Sequence, residues 1–433
     1  MNLKKSYQTL KEYRGDPLNF IVNLEKQQGH RMTLDIFGKK LILLSHPNDV
    51  LHVLKTNNSA YTKGRTTKAL RQFLGRGLIT NEGDSWRRQH RLSRPIMSWK
   101  SVYQLAPKIL ETSQTFVASM ENGYELNSFH EMNRLTWRIV LKTLFSQEPT
   151  PEMDFWLEDI LLMMKIITGK TRSSIPVPFW IPTNQHRILK RIIMKFDQYV
   201  YGMIGQRREG KRENDFLQLL INAQEEGTAG MTDREIRDEV MTFLMAGHET
   251  ITNTMSWALI ELAKNPHYKT HLRIESQAFF ETGDFEVLNS SPWYSAVIDE
   301  VMRLWPPVWV FMRQAEAPDQ IDSLYIPKNA NVVVSPYLSH RSADFWENPE
   351  NFHPERFLPE NRKKIINGSF YPFGLGPRAC IGANFATIEA KIILATLIHE
   401  CDWNITQVEE QKSEAGITLR PINNIMMTFK RHV

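Results

Sequence analysis

Cys380 stands in the run FGLGPRACIGANFA, residues 373–386, behind Gly374, Gly376 and Pro377 and two residues ahead of Gly382. Beyond it Phe385, Ile388, Ile392 and Leu397 form one apolar stripe, so the thiol sits just before a helix start. Unpaired backbone N–H groups and the positive end of a helix dipole favour thiolate over thiol there, and Arg378 adds positive charge. The glycines let backbone come close to something flat or bulky held by the sulfur. An inert cysteine after a turn is the plainer reading of the same residues. A dinucleotide loop also competes, since Gly374, Gly376 and Ala379 match GxGxxA. It fails on context: Pro372 interrupts the strand that should precede it, and Pro377 sits where an amide should cradle phosphate.

Three further constellations could do chemistry. AGHETI, residues 246–251, lies midway along a helical pattern. Gly247 costs a helix interior about 1 kcal/mol relative to alanine, which points to a close approach or a local distortion. Glu249 and Thr250 offer an acid and an alcohol; Thr250 shares a face with Ala246, while Glu249 is turned about 100° away. His248 and Glu249 begin like a zinc-protease HExxH, but Thr252 ends that reading. A threonine here can also simply bond back to its own helical turn. Glu300 and Arg303 lie at i,i+3 on a helix otherwise apolar at Val297, Val301 and Leu304. Charges buried there must be paired, which makes the couple a structural clamp. In DSWRRQHRLSRP, residues 84–95, Trp86 and His90 share one face, with Arg87, Arg88, Arg91 and Arg94 on the others. That is either a solvated basic helix or a site for carboxylates or an acidic partner.

The elements that must position these residues are mostly helical. Helices are predicted over 85–94, 152–168, 186–208, 232–264, 292–304 and 382–400. The longest opens with Thr232 and Glu235 as a capping box and repeats apolar or small residues from Ile236 to Leu262, about 50 Å of helix. Strand-like alternation marks 31–45 and 331–337, and helix-like text follows the first at 46–57. The stretch 339–372 reads as a long ordered meander. Residues 171–184 hold Pro176, Pro178 and Pro182, break two helices, and present Phe179 and Trp180 as an apolar lid. No repeat, linker or composition break divides the chain, so 1–433 is expected to form one domain.

Composition excludes several classes. With 42% hydrophobic and 23% charged residues the 433-residue chain folds rather than staying disordered. Fifty-three basic against 48 acidic residues leave a net charge of +5, too weak and dispersed for nucleic acid. Apolar runs fall far short of a membrane span, and MNLKKSYQTLKEYRG lacks the core of a signal peptide, so a cytoplasmic protein without a membrane anchor is expected. Cys380 and Cys401 make neither a disulfide framework nor a zinc knuckle.

In order and spacing, these motifs resemble the cytochrome P450 family of haem-thiolate monooxygenases, over nearly the whole chain from the strand pair near 31 to GITLRP at 416–421. FGLGPRACIG resembles the family's cysteine loop, AGHET its oxygen-activating helix and EVMR its ExxR helix. HPERF resembles the segment that supplies a second arginine, and WRRQH the helix beneath the haem. The wording of AGHET and PERF is closer to the fatty-acid-hydroxylase branch, without its anchor or fused reductase, like a soluble bacterial member. The resemblance implies a mainly α fold with a small β region and haem b between the long central helix and the cysteine-loop helix. It implies Cys380 as axial thiolate, with Phe373 beside the sulfur and Gly374, Gly382 and Ala246 against the cofactor. Trp86, His90, Arg313 and Arg378 would contact propionates, Glu300, Arg303 and Arg356 would form a fold-holding triad, and Thr250 and Glu249 would deliver protons. Ile251, where many members have Thr or Ser, and His90, where many have Arg, depart from the pattern without removing a required group.

The activity so implied is insertion of one oxygen atom from O2 into a C–H or C=C bond of a lipophilic substrate such as a fatty acid or terpenoid. The resemblance points to a pocket of Phe73, Leu78, Met163, Ile167 and Ala246 together with Val308, Val310, Phe311 and Ile417; Arg65 or Arg71 could meet a carboxylate. Electrons would come from a separate ferredoxin or flavodoxin with its reductase, docking on Arg87, Arg88, Arg91 and Arg94 with Lys363 and Lys364, onto a monomer. Alternatives are a peroxide-using or rearranging haem-thiolate enzyme, which would not need the Thr250–Glu249 pair, and a haem-based gas sensor or carrier.

Overall fold

The structure is a computed structural model that describes residues 3–432 apart from 124, 172–176, 224–229, 407–411 and 423–424. The chain divides into two compact units: Met1–Thr66, Ser291–Cys380 and Gln411–Ile422 form the first, and Thr67–Ser290, Ile381–Glu410 and Asn423–Val433 the second.

The first unit is built on a five-stranded sheet in the order Arg31–Ile36, Lys39–Leu44, Asn331–Val334, Phe311–Ala315, Tyr61–Thr62. The first two strands pair antiparallel across Phe37 and Gly38, both at positive φ, as a two-residue hairpin turn of that twist requires. Lys39–Leu44 then runs parallel to Asn331–Val334, and the remaining pairs are antiparallel. Both faces are covered. Ile42, Leu44, Val332 and Val334 pack into one apolar cluster with Val50, Val53 and Tyr371, while Leu43 and Val333 join Leu18, Ile21 and Trp309 in another. Period-two alternation of apolar residues on both faces explains the unbroken runs KLILL and VVV. The helix-like text at 46–57 becomes an α-helical turn Pro47–Leu51 that continues as a π-helix, His52–Thr56. Pro292–Leu304 forms over the predicted bounds, with Pro292 in its first turn and Ser291 as N-cap. The 339–372 meander is ordered by short turns, among them the 3-10 turn Pro354–Phe357.

The second unit is helical around Asp233–Lys264. The capping box is present: Glu235 N donates to Thr232 Oγ1 at 3.3 Å, and Glu235 Oε2 accepts from Thr232 N at 2.9 Å. This long helix packs on Ser128–Phe145 and on Ala383–Glu400, and the latter also packs on Ala106–Ala118. A three-stranded sheet of Glu125–Asn127, Met426–Arg431 and Cys401–Ile405 closes one edge. The basic helix spans Gly83–Ser93, and Asn184–Arg208 extends its predicted range by two residues. Instead of one helix over 152–168 there are two, Pro151–Asp154 and Trp156–Thr171, interrupted at Phe155. Of the predicted lid, 172–176 lie outside the described residues. Trp180 is 77% exposed, but Phe179 is half-buried against His186, with Lys170 and Lys190 over its ring.

Candidate active site

In the first unit the cysteine loop is held by its own backbone. Gly374 N donates to Tyr371 O at 2.9 Å, Ala379 N to Gly376 O at 3.1 Å, and Cys380 N to Phe373 O at 2.8 Å. The last bond brings Phe373 beside the cysteine. Gly374 and Gly376 have φ of 72° and 71°, and a Cβ on Gly376 would stand 2.1 Å from the carbonyl oxygen of Leu54. Only glycine satisfies both the left-handed backbone and the close packing there. The Cys380 side chain is exposed. Gly382, two residues on, is the N-cap of Ala383–Glu400, so the thiol directly precedes an 18-residue helix, as the sequence predicts.

The Glu300–Arg303 clamp is fully buried. Arg303 Nε and Nη2 donate to Glu300 at 2.7 and 2.8 Å; its remaining donors reach the carbonyls of His340, Pro349 and Asn351 at 2.8, 2.7 and 3.1 Å. All five guanidinium N–H groups therefore have acceptors. Glu300 also accepts from His353 N at 2.8 Å, and Arg356 Nε approaches it at 3.5 Å, an ion pair too long for a good hydrogen bond. Burial holds the Arg356 guanidinium below its usual range despite that carboxylate. Arg313 is half-buried on the Phe311–Ala315 strand, its Nη1 donating to Met312 O at 3.0 Å, and Arg378 lies half-buried in the 3-10 turn before Cys380. Leu419 N donates to Pro307 O at 2.9 Å and Trp309 Nε1 to Gly416 O at 3.0 Å, tying the segment of Ile417 to that of Val308 and Val310. Ile417, Val308, Val310 and Phe311 are half-buried.

In the second unit, the long helix is buried on every side from Ile236 to Leu262 except at Ala246, Gly247 and Thr250. These three share one face and make an opening at the motif that the sequence singles out. A Cβ on Gly247 would touch Val140 at an ordinary 3.7 Å, so among the described residues no atom outside its own helix demands the glycine. Thr250 Oγ1 donates to Ala246 O at 2.8 Å, the back-bond expected of a helical threonine. Glu249 is buried. His248 turns to the Ser128–Phe145 helix, with Nε2 2.5 Å from Asn133 Oδ1 and its ring edge-on to Trp137. Burial depresses its pKa to about 3, so it is neutral in the folded state.

Trp86 and His90 stack with centroids 4.9 Å apart on the face predicted for them. Arg87, Arg91 and Arg94 are exposed, but Arg88 is committed within the unit, donating to Glu235 and to Gly230 O, both at 2.8 Å. Phe73, Leu78, Met163 and Ile167 are buried. Arg71 Nη2 donates to Thr80 O at 2.6 Å, an intrachain role; the side chain of Arg65 lies outside the described residues. The sequence reading missed the anchor of the segment carrying Phe73 and Leu78. Arg76 N donates to Asp238 at 2.7 Å, Leu78 N to Glu239 at 3.2 Å, and Arg237 to Phe73 O at 3.0 Å. The available signal was Gly75 and Gly77, where a Cβ would meet Asp238 and Thr242 at 2.0 and 2.1 Å.

The family model for cytochrome P450 matches residues 5–429. The chain belongs to the cytochrome P450 family. Relatives of this P450 include cyclooctatin synthase from Streptomyces melanosporofaciens, 29% identical over 88% of this chain and 84% of that one. Cyclooctat-9-en-7-ol 5-monooxygenase of the same organism is 28% identical over 88% and 84%, and cytokinin hydroxylase of Arabidopsis thaliana 27% over 94% and 82%. Among solved structures the cytochrome P450DA heme domain superposes with a TM-score of 0.87 at 24% identity, covering 96% of this chain and 93% of that one, which establishes the mainly α fold with its small β region. The chain is a P450 monooxygenase, an enzyme class that uses O2, a substrate, an electron donor and haem with a cysteine thiolate ligand. Its residues fit that cofactor. The Cys380 thiol is exposed, in a loop whose Gly374 and Gly376 carry no side chain beside it, and it would hold the iron of a haem as thiolate ligand. No helix among the described residues is long and apolar enough to cross a membrane.

Proposed function

We propose that this P450, acting as one catalytic domain over the whole chain, inserts an oxygen atom from O2 into a C–H or C=C bond of a lipophilic substrate. The observation that carries this reading is the opening at Ala246, Gly247 and Thr250 on an otherwise buried helix, with an acid, Glu249, adjacent in sequence. When bound, haem b with a thiolate ligand supplies the oxygen activation. Cys380 would hold the iron, and Phe373 with the loop glycines would pack against the sulfur side. Arg313, Arg378, Trp86 and His90 are the cations and N–H donors suited to the propionates. The Thr250 hydroxyl gives its proton to Ala246 O, which leaves its oxygen able to accept from a water in the opening; a rotation of Oγ1 turns it into a donor. Glu249 would exchange protons with that water.

In the second unit the buried apolar residues Phe73, Leu78, Met163 and Ile167 suit a fatty acid, terpenoid or similar molecule. The half-buried Val308, Val310, Phe311 and Ile417 of the first unit are of the same apolar kind. That two relatives are named as a monooxygenase and a hydroxylase supports oxygenation of a small molecule. Electrons would come from an acidic ferredoxin or flavodoxin, attracted by the exposed Arg87, Arg91 and Arg94; Arg88 is withdrawn from that set, and Lys363 and Lys364 are exposed in the other unit. The test is the spectrum of the dithionite-reduced, carbon monoxide-bound protein, followed by turnover of a lipophilic panel with a ferredoxin and its reductase. A thiolate-type Soret band lost in Cys380→Ser, with oxygenated product, is expected. A histidine-type band would overturn the reading in favour of a sensor or carrier, and product formed only from added peroxide would favour the peroxide-using alternative.

A further inference from the structure

The π-helix His52–Thr56 is an irregular element in the unit that carries Cys380, and such turns in place of α-helix mark functional positions. Its Leu54 carbonyl is the atom against which Gly376 packs, 2.1 Å from where a Cβ would be. The cysteine loop therefore rests on the π turn four residues before the thiol. Leu375 packs on the same apolar cluster as Val53 and Leu54.

What holds the π turn is one carboxylate from a distant hairpin. Asp319 Oδ2 accepts from His52 Nε2 at 2.8 Å and from Asn57 Nδ2 at 3.0 Å, the residues at either end of the turn, and from Tyr61 OH at 2.5 Å. Its Oδ1 accepts from Gln320 N at 2.8 Å, and the side chain is only 12% exposed. Asn57 N closes the turn by donating to His52 O at 2.8 Å. Burial and the bond to Asp319 both raise the Tyr61 pKa, so the phenol stays a donor. A carboxylate with three side-chain donors on one oxygen fixes their relative positions far more tightly than packing alone.

We infer that Asp319 is a positioning residue for the Cys380 thiolate, acting through the His52–Asn57 π turn and the Leu54–Gly376 contact. This rests on the haem-thiolate reading above. The function of the knot is to keep the loop at the depth at which the sulfur ligates iron, rather than to raise the stability of the whole unit.

The experiment follows two signals through a urea titration of the haem-loaded protein: the thiolate-type band of the reduced carbon monoxide complex, and far-UV circular dichroism. Asp319→Asn keeps the shape but turns one of two acceptor oxygens into an NH2 donor, so either His52, Asn57 and Tyr61 or Gln320 N loses its acceptor, and the charge is gone. The midpoint for loss of the thiolate band is expected to fall by on the order of 0.5 M urea below the unfolding midpoint. Val332→Ala, which thins the same apolar cluster away from the knot, is expected to lower both midpoints together. Should Asp319→Asn fail to accumulate, His52→Phe removes a single donor and is expected to show the same separation at smaller size. Midpoints that stay coincident in both knot variants would overturn the inference. Absence of a thiolate band in the wild-type protein would instead overturn the cofactor reading on which it rests.

Discussion

Arg303 donates two of its five N–H groups to Glu300 and the other three to backbone carbonyls of a single meander, with neither side chain exposed to solvent. The pair does more than neutralise itself: it fixes His340, Pro349 and Asn351 in the segment that leads to Tyr371 and the cysteine loop. Lysine offers three donors on a flexible stem and cannot reproduce the fork. Arg303→Lys is expected to cost about 3–5 kcal/mol, the scale of breaking a buried ion pair. Chemical denaturation checks this, and Arg356→Lys, whose contact with Glu300 is longer, should cost much less.

Gly75 is constrained by Asp238 in a comparable way. Its φ is +63°, and a Cβ would fall 2.0 Å from the Asp238 carboxylate that accepts from Arg76 N. Gly75→Ala must displace that carboxylate and adopt a strained backbone, a loss of about 2 kcal/mol. Because Phe73 and Leu78 flank the turn, binding of a lipophilic ligand is expected to weaken in the same variant. Thermal melts with and without ligand separate the two effects.

The placement of motifs was legible where a residue type is demanded at a fixed spacing: the cysteine directly before a helix and the i,i+3 clamp. Helix bounds followed capping and proline signals closely, as at Thr232 and Pro292. Partners brought together over long sequence distances were not legible. Nothing in the sequence ties Asp319 to His52, or Asp238 to Gly75, because those contacts arise from tertiary packing rather than local periodicity. The π turn was hidden for a related reason, since residues 46–57 read as continuous helix. Arg88 carries the same pattern as Arg87 and Arg91, and only the fold assigns it to Glu235.

Two buried histidines set an acid limb. Burial lowers both His248 and His340 from 6.5 to about 3, so each is neutral in the folded state while the unfolded chain still titrates at the ordinary value. The contribution of these two histidines is therefore fully present above pH 6.5 and is lost as pH drops toward 3, because the unfolded state takes up two protons that the folded state refuses. Unfolding free energies from urea titrations across that range are expected to decline toward low pH, and His248→Asn or His340→Asn should each remove up to one proton from the slope.

Glu389 works in the opposite direction. It is fully buried on the Ala383–Glu400 helix, neither carboxyl oxygen has a hydrogen-bond partner among the described residues, and burial raises its pKa well above 4.5. The folded state keeps its proton while the unfolded chain loses it above that value, so stability declines as pH rises from 4.5 to the folded pKa. Glu389→Gln cannot titrate and should be more stable than wild type by a margin that grows with pH over that window. A constant difference would place the carboxyl in contact with an unrecognised base.

Thr250→Ala separates chemistry from structure. Among the described residues the hydroxyl bonds to a carbonyl of its own helix, so the stability change is expected to stay within about 1 kcal/mol. The opening at Ala246 and Gly247 would keep its shape and still admit a substrate, but it would have no hydroxyl to hold a water at that position. Product formed per O2 consumed is expected to fall on the order of 10-fold, with hydrogen peroxide rising to match, while ligand affinity stays nearly constant. Thr250→Ser restores the donor and acceptor and should recover most of the coupling. Simultaneous measurement of oxygen uptake, peroxide and product distinguishes this from a packing defect, which would lower affinity and stability together and would not be rescued by serine.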